Sequence, residues 1–498
     1  MHDIFIIGGG INGCGIARDA AGRGLSVYLA EKADLASGTS SSSTKLIHGG
    51  LRYLEQYEFN LVRESLKERE TLLRMAPHII SPMRFVLPHH EGLRPKWLIR
   101  LGLFLYDHLG GRKLLPKSRN VRLENSPLGA PLKPQFTSGF EYSDCWVDDA
   151  RLVVLNAMDA SDHGATIRTR TEVISAHRDD QGWSVTVRDL VTGRREEISA
   201  KVLINAAGPW VSEVASSRLK LNGHSQSRLV KGSHIVVRQI FEHDRAYIFQ
   251  NPDGRIIFAI PYEDDFTLIG TTDVDVGADP NAAHISEEEI TYLLDAAGEY
   301  FAKPIRRSDV VWSYSGIRPL FDDGEQTAQE ITRDYVLSID APKNQAPLLN
   351  IFGGKITTYR HLAEEALTKL ADWLPTASAA WTSGAALPGG KIATSEVGDL
   401  AGKIRNAHPS LSPDQAIRYA RTYGTAALDW PESDPGEEFG AGLSANEVRY
   451  LIAREWARTA EDVLWRRTKL GLRLEPEQVA RLDAWMQQNQ PDAIHQEG

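Results

Sequence analysis

The stretch KLIHGGLRYL, residues 45–54, sets His48, Gly49, Gly50, Arg52 and Tyr53 within six consecutive positions. An imidazole exchanges protons near neutral pH. A guanidinium grips anions through a planar fork of donors, and paired glycines let another body lie against backbone. The run SGTSSSSTK just before it has the composition of a flexible linker. A linker has no use for such dense, mixed chemistry directly after it. The same residue types recur later: His234 in KGSHIVV, Thr271 in GTTD, Arg318 in GIRPL, and Lys355 after the glycine pair of NIFGGKITTYRHLAEEAL. His234, flanked by apolar strand residues, also reads as a satisfied core histidine.

The elements that must position these groups begin at the N-terminus. IIGGGINGCGIARDA carries Gly8-x-Gly10-x-x-Gly13 between an apolar strand at 3–7 and a helix at 11–23. A second strand at 26–30 runs into Glu31, close to the ~20-residue spacing of a ribose-binding acid. Gly8 permits the tight turn, Gly10 lets a pyrophosphate approach the backbone, and Gly13 lets helix and strand pack closely. The helix N-terminus offers free N–H groups and partial positive charge to phosphates. Two further glycine-rich turns, VLINAAGPWVSEV and NIFGGKITTYR, mark other places where backbone meets something bulky. A helix N-terminus at the second suits the edge of an isoalloxazine ring that gains charge on reduction. Three separated contacts of this kind suit a long FAD better than NAD.

Further along, 59–75 and 149–163 read as helices, and 88–134, rich in Pro, Arg and Lys, as an insertion. Strands dominate 169–207 and 230–276. A helix at 286–300 opens with Ser and three Glu, and a helix at 356–373 follows the last strand. Beyond about 387 the character changes, with helices at 416–423, 445–469 and 477–488. The 498 residues allow two or three domains at roughly 100–200 residues each. The formal charge of −10 argues against a nucleic-acid partner. Cys14 and Cys145 form neither a disulfide framework nor a metal cluster, so no metal is expected. No signal peptide or spanning helix is read, and a reducing cytoplasm is expected.

These motifs, with SSSSTKLIHGGLRYLE, FEYSDCWVDDARL, NAAGPWV, IGTTD, YSGIRPL and EWARTAEDVLWRRTKLGL, resemble the FAD-dependent aerobic sn-glycerol-3-phosphate dehydrogenases, a branch of the D-amino-acid-oxidase-like flavoproteins. The resemblance covers essentially the whole chain. It implies an α/β fold: a Rossmann-type FAD-binding domain with a mixed β-sheet substrate domain and an all-α C-terminal domain. The oxidoreductase region would span 1–386. Its FAD-binding parts, about 1–85, 145–225 and 340–375, would interleave with a cap at 86–144 and 226–339, leaving 387–498 helical. The implied reaction is hydride transfer from C2 of sn-glycerol 3-phosphate to FAD, giving dihydroxyacetone phosphate, with electrons passed to a membrane quinone.

The resemblance also implies FAD contacts from Gly8, Gly10, Asn12, Gly13, Glu31, Lys32, Thr39, Ser40, Ser41, Ser42, Lys45, Leu46, His48, Gly49, Gly50, Val173, Ala207, Gly208, Trp210, Gly353, Gly354, Lys355 and Thr357. A phosphomonoester carries nearly two charges, so Arg52, Arg318 and Lys355 should converge on it. His48 and His234, with pKa values naturally near the working range, are candidate proton acceptors. An arginine or lysine such as Arg318 or Lys355 holding the developing alkoxide is the alternative. Tyr53 and Thr271 would position hydroxyls.

An oxidase using oxygen shares the same motifs, and a non-catalytic flavin-binding protein is the remote alternative. A quinone acceptor requires contact with a bilayer. Residues 94–119, RPKWLIRLGLFLYDHLGGRKLLPKSR, mix Trp97, Leu98, Leu101, Phe104 and Leu105 with Lys96, Arg100, Arg112, Lys113, Lys117 and Arg119. That composition suits an interfacial helix, or equally an ordinary amphipathic helix on the core. The expected location is cytoplasmic, peripherally on the inner face of the cytoplasmic membrane. A homodimer is left open.

Overall fold

The structure, a computed structural model, describes residues 1–220, 227–251, 253–277, 279–321, 334–430 and 435–489. One sheet is built around the apolar strand His2–Ile7. Val27–Ala30 and Arg195–Asn205 flank it in parallel; Thr166–Arg168 lies beyond the first, and Leu348–Phe352 beyond the second. The helices Ile11–Gly22, Asp149–Asp162 and Tyr359–Lys369 cover one face, packing Ala17, Leu152 and Leu362 on Ile4, Ile6 and Ile204. The opposite face carries Phe5, Ile7 and Tyr28, closed by the antiparallel pair Thr171–Arg178 and Trp183–Asp189. Strands covered on both faces, here by helices on one side and the antiparallel pair on the other, are apolar throughout, which is why FII and VYLA show no alternation.

A second, mostly antiparallel sheet runs Ser227–Arg238, Phe266–Gly270, Ile256–Tyr262, Ala246–Gln250, Ile80–Pro88 and Ser138–Val147, with Val310–Phe321 on the other side of Ser227–Arg238. The stretch expected to be an insertion is built into this sheet. Its helix, Lys96–Leu109, packs Leu103 and Tyr106 on the sheet, and its strand, Arg119–Arg122, pairs with Ser138–Val147. The helix Glu287–Gly298 starts at a capping box closed by Ser286 and Glu289.

The C-terminal region has its own core, with Leu400, Tyr419, Leu451 and Leu482 drawn from four helices. The region is helical, as expected, with one short hairpin formed by Glu438–Gly440 and Leu443–Ser444. Two helix expectations are corrected. The single helix expected over 445–469 is two pieces. Ala445–Glu455 stops at Trp456, whose φ is 57°, and the wider turn Asp462–Arg467 follows. The Thr459 hydroxyl accepts the Asp462 N–H while the Asp462 carboxylate accepts the N–H groups of Thr459 and Arg458, a reciprocal cap that gives this sequence an internal start signal. Residues 356–373 likewise split into Ile356–Thr358, Tyr359–Lys369 and Ala371–Trp373.

Candidate active site

The N-terminal turn behaves as its glycines require. Gly8 has φ 110°, and a Cβ there would lie 2.6 Å from the Ala206 carbonyl oxygen. At Gly13 a Cβ would meet the Gly8 carbonyl at 2.0 Å, so helix and strand touch through it. A Cβ on Gly10 would meet only the Ser40 hydroxyl, at 3.1 Å, with open space beyond. That space is a cavity of about 700 Å³. It runs from Glu31 and Lys32, past Gly8, Gly10 and Asn12, to His48 and Gly353–Thr357. The Glu31 carboxylate faces it while accepting the N–H groups of Gly9 and Ala33, each at 2.7 Å. Lys32 stands 4.5 Å over the Trp210 ring.

The Ser-rich run is the cavity's second wall. Thr39–Ser41 form one 3₁₀ turn. Ser40 accepts the Ile11 N–H at 3.0 Å, and Thr39 donates to the Ile317 carbonyl at 2.5 Å. Asn12 donates to the Gly353 carbonyl, and its own amide oxygen is buried with no partner among the described residues. Gly353 and Gly354 both hold positive φ, 72° and 99°. A long cavity edged by glycine backbone, a helix N-terminus, hydroxyls and an unmatched amide oxygen fits an extended dinucleotide. Gly8, Gly10, Asn12, Glu31, Lys32, Thr39, Ser40, Ser42, Leu46, His48, Gly50, Val173, Ala207, Gly208, Trp210, Gly353, Gly354, Lys355 and Thr357 line it.

Four of the expected cofactor residues do not line it. Gly13 packs behind the turn. Ser41 offers its carbonyl to the Lys45 ammonium at 3.0 Å. Lys45 is fully buried, gripping both oxygens of Asp149 at 2.9 and 3.0 Å. Gly49 is a glycine because Leu66 and the Tyr106 hydroxyl press on it from outside the cavity; its N–H donates to that hydroxyl at 2.8 Å. The expectation that both glycines are bare so that a flavin can rest on them is corrected at Gly49, which lies behind the wall, whereas Gly50 lines the cavity. Gly50 has φ 74°, and its missing Cβ leaves room for the Tyr53 ring.

At the far end, Arg52, Tyr53, His234, Thr271, Arg318 and Lys355 all face the same cavity. Lys355 sits 3.8 Å above the Tyr53 ring. Arg318 pairs with Asp273 at 2.7 Å and donates to the Thr272 carbonyl. A Cβ on Gly232 would lie 2.5 Å from the Arg318 guanidinium and 2.7 Å from the Thr271 hydroxyl, so this glycine makes the room in which they meet. His234 hydrogen-bonds Thr44 at 3.0 Å and stacks on Tyr314, 4.8 Å between centroids. Burial, then the nearby Lys45 and Arg318, hold the His234 imidazole well below its ordinary value. Burial, with Lys355 and Arg69, lowers His48 to about 4. Both shifts run downward, away from the near-neutral range expected of a proton acceptor.

Asp273, Gly232 and Tyr314 were missed in the sequence. Asp273 lay in view in GTTD, but nothing local showed that it faces Arg318, 45 residues away. No group of His, Cys, Asp and Glu suited to a metal occurs among the described residues.

A family model for FAD dependent oxidoreductases matches residues 3–360. The chain is 52% identical over 488 residues to a D-erythritol 1-phosphate dehydrogenase of Brucella abortus, covering 97% of each. It is 50% identical over 489 residues to the aerobic glycerol-3-phosphate dehydrogenase of Escherichia coli, again covering 97% of each. A glycerol-3-phosphate dehydrogenase of Bacillus halodurans, solved with FAD, superposes with a TM-score of 0.74 at 27% identity, covering 98% of this chain and 94% of that one. An L-alpha-glycerophosphate oxidase of Mycoplasma pneumoniae shares the fold at a TM-score of 0.60 and 20% identity, covering 78% of this chain and 99% of its own. FAD is the group that the long cavity fits, and the chain is an enzyme of the FAD-dependent oxidoreductase family.

Proposed function

We propose that this chain oxidises sn-glycerol 3-phosphate at C2 to dihydroxyacetone phosphate. The observation that supports the reading is that Arg52, Arg318 and Lys355 line the FAD cavity together with His48 and His234. Relatives at 50% identity or above named for sugar-alcohol phosphates support it. When bound, the flavin supplies the acceptor for two electrons. Gly8, Gly10, Glu31, Thr39, Ser40 and Ser42 would hold its adenosine and pyrophosphate part, and Gly353–Thr357 its ring end. Arg318 offers a planar fork to phosphate, and Lys355 and Arg52 add point and fork charges. Asp273 already engages one side of Arg318, which orients the guanidinium but makes phosphate share it. His48 and His234, uncharged, are able to take the C2 hydroxyl proton.

A second reading, a longer polyol phosphate such as D-erythritol 1-phosphate, is favoured by the 52% relative of that name. Anaerobic bleaching of the bound flavin's visible band separates the readings. Glycerol 3-phosphate should bleach it at lower concentration than D-erythritol 1-phosphate, and glycerol should not bleach it at all. No bleaching by either phosphate would reject both.

The finer claim is a membrane quinone acceptor, reached from the inner face of the cytoplasmic membrane. No helix among the described residues is long and apolar enough to cross a membrane. The helix Lys96–Leu109 leaves Trp97, Leu101 and Phe104 exposed, at 68%, 48% and 51%, within a stretch dense in lysine and arginine. Peroxide formed in step with substrate would instead favour oxygen as acceptor.

A further inference from the structure

The C-terminal unit reaches the cofactor walls along three routes, all leaving from Trp465–Lys469. On the first, Arg467 closes a two-pronged pair on Asp34, 2.9 Å at each oxygen, and Arg466 adds a contact at 2.6 Å. Asp34 and Arg467 are both essentially inaccessible to solvent. Asp34 lies within the loop that begins at Glu31 and leads to Thr39. That loop is tied again where the Arg170 N–H donates to the Ala33 carbonyl while the Arg170 side chain pairs with Asp462. The second route runs from Lys469 to Asp148, 3.4 Å away. Next to it in the chain, Asp149 holds Lys45 and the Ser43 hydroxyl, and Lys45 holds the Ser41 carbonyl. The third is a stack of rings: Trp465 on Trp312 at 4.3 Å, Trp312 against Tyr314 at 4.9 Å, and Tyr314 on His234 at 4.8 Å. Tyr314 also donates to the Ser43 carbonyl at 2.8 Å.

We propose that Trp465, Arg467 and Lys469 are positioning residues: the C-terminal unit fixes the Glu31 loop, the Ser40–Lys45 wall and His234, and so sets how tightly FAD and substrate are held. A buried guanidinium–carboxylate fork defines direction as well as distance, and removing one partner leaves the other charge buried without compensation. The loop ends then have no alternative arrangement of comparable energy. The cofactor arm rests on the FAD assignment alone; only the Trp465 arm also rests on the proposed substrate.

The test uses purified holoenzyme, following FAD release by the rise in flavin fluorescence well below the unfolding midpoint, with the midpoint read by circular dichroism. Arg467→Lys and Asp34→Asn should each release FAD at least tenfold faster. Arg418→Lys is the control. It weakens another guanidinium–carboxylate pair, the half-buried Arg418 with the buried Glu447, that lies wholly within the C-terminal unit and on none of the routes. It should lower the midpoint and leave the release rate unchanged. With FAD saturating, Trp465→Leu should raise KM for sn-glycerol 3-phosphate severalfold more than it lowers kcat, and Trp465→Phe should restore most of it. Unchanged release in both Arg467→Lys and Asp34→Asn overturns the proposal, as does equal acceleration by Arg418→Lys. Faster release in the first two with no substrate turnover at all supports the clamp and rejects the substrate reading separately.

Discussion

At the scale of single residues, the glycines divide into those that serve the fold and those that serve the ligand. Gly8→Ala would drive a Cβ into the Ala206 carbonyl from a left-handed backbone, so it should destabilise the protein itself. Gly10 has only a serine hydroxyl near it. Gly10→Val should therefore fold normally and purify without flavin, read from the visible spectrum and the unfolding midpoint together. At the other end of the cavity, Arg318→Ala would remove the proposed phosphate grip. A loss of about 2–5 kcal/mol is typical of such a change, or roughly 30-fold to several thousand-fold in kcat/KM for glycerol 3-phosphate. Arg318→Lys should recover only part, and FAD content should stay normal in both. Steady-state kinetics with a dye acceptor checks this; wild-type kcat/KM in Arg318→Ala would move the phosphate elsewhere. The residue types and the glycine spacing were legible because each answers a local demand. Lys45 and Gly49 were misread for the opposite reason: their partners, Asp149 and Tyr106, lie 104 and 57 residues away. Nothing in KLIHGG distinguishes a wall residue from one packed behind the wall.

At the scale of elements, the helix Lys96–Leu109 has two occupied roles. Its inner face carries Tyr106, whose hydroxyl accepts the Gly49 N–H and donates to Asp144, itself paired with Arg69. Tyr106→Phe would strand both groups and should cost about 1–3 kcal/mol of stability, measured by urea denaturation. Its outer face carries Trp97, Leu101 and Phe104. Arg112 is half-buried and donates to the Leu115 carbonyl, so it is a poor reporter of lipid contact, whereas Lys113 and Lys117 are exposed. Exchanging both for Glu should weaken binding to anionic vesicles, with about 1 kcal/mol expected from each lost basic contact. Sedimentation with vesicles of rising anionic content would show it, and unchanged binding would direct attention to another surface. The sequence exposed the helix by its period, but a stripe of Trp, Leu and Phe has the same spacing whether it faces a core or solvent. The helix expected over 445–469 failed for a related reason. Its periodicity continues across Trp456, and the pairs of Glu455 with Arg151 and of Arg467 with Asp34 hold the two pieces apart, together with the local cap at Thr459 and Asp462.

At the scale of the whole molecule, the two large units and the C-terminal unit meet around buried charges, and this makes stability depend on pH. His78 lies at that junction, packed where a Cβ on Gly424 would come within 2.8 Å of its ring, with both ring nitrogens unpartnered among the described residues. Burial, with Arg151 beside it, lowers its pKa from 6.5 to about 3. The folded state therefore binds fewer protons than the unfolded chain between those values. Stability contributed by neutral His78 is fully present above pH 6.5 and is lost as pH falls toward 3. Other groups shift the absolute curve both ways, because buried carboxyls with raised pKa, such as Glu263 at about 7, gain relative stability over the same range. The comparison with His78→Gln removes them. The variant should be less stable than wild type at pH 8, since a cavity-filling ring is lost. As pH falls below 6.5, the difference should shrink by up to about 1.4 kcal/mol per pH unit, the value of one proton. Urea midpoints of both holoenzymes between pH 8 and 5 measure it. A difference that stays constant across that range would mean that His78 is protonated in the folded protein, with its charge accommodated beside Arg151.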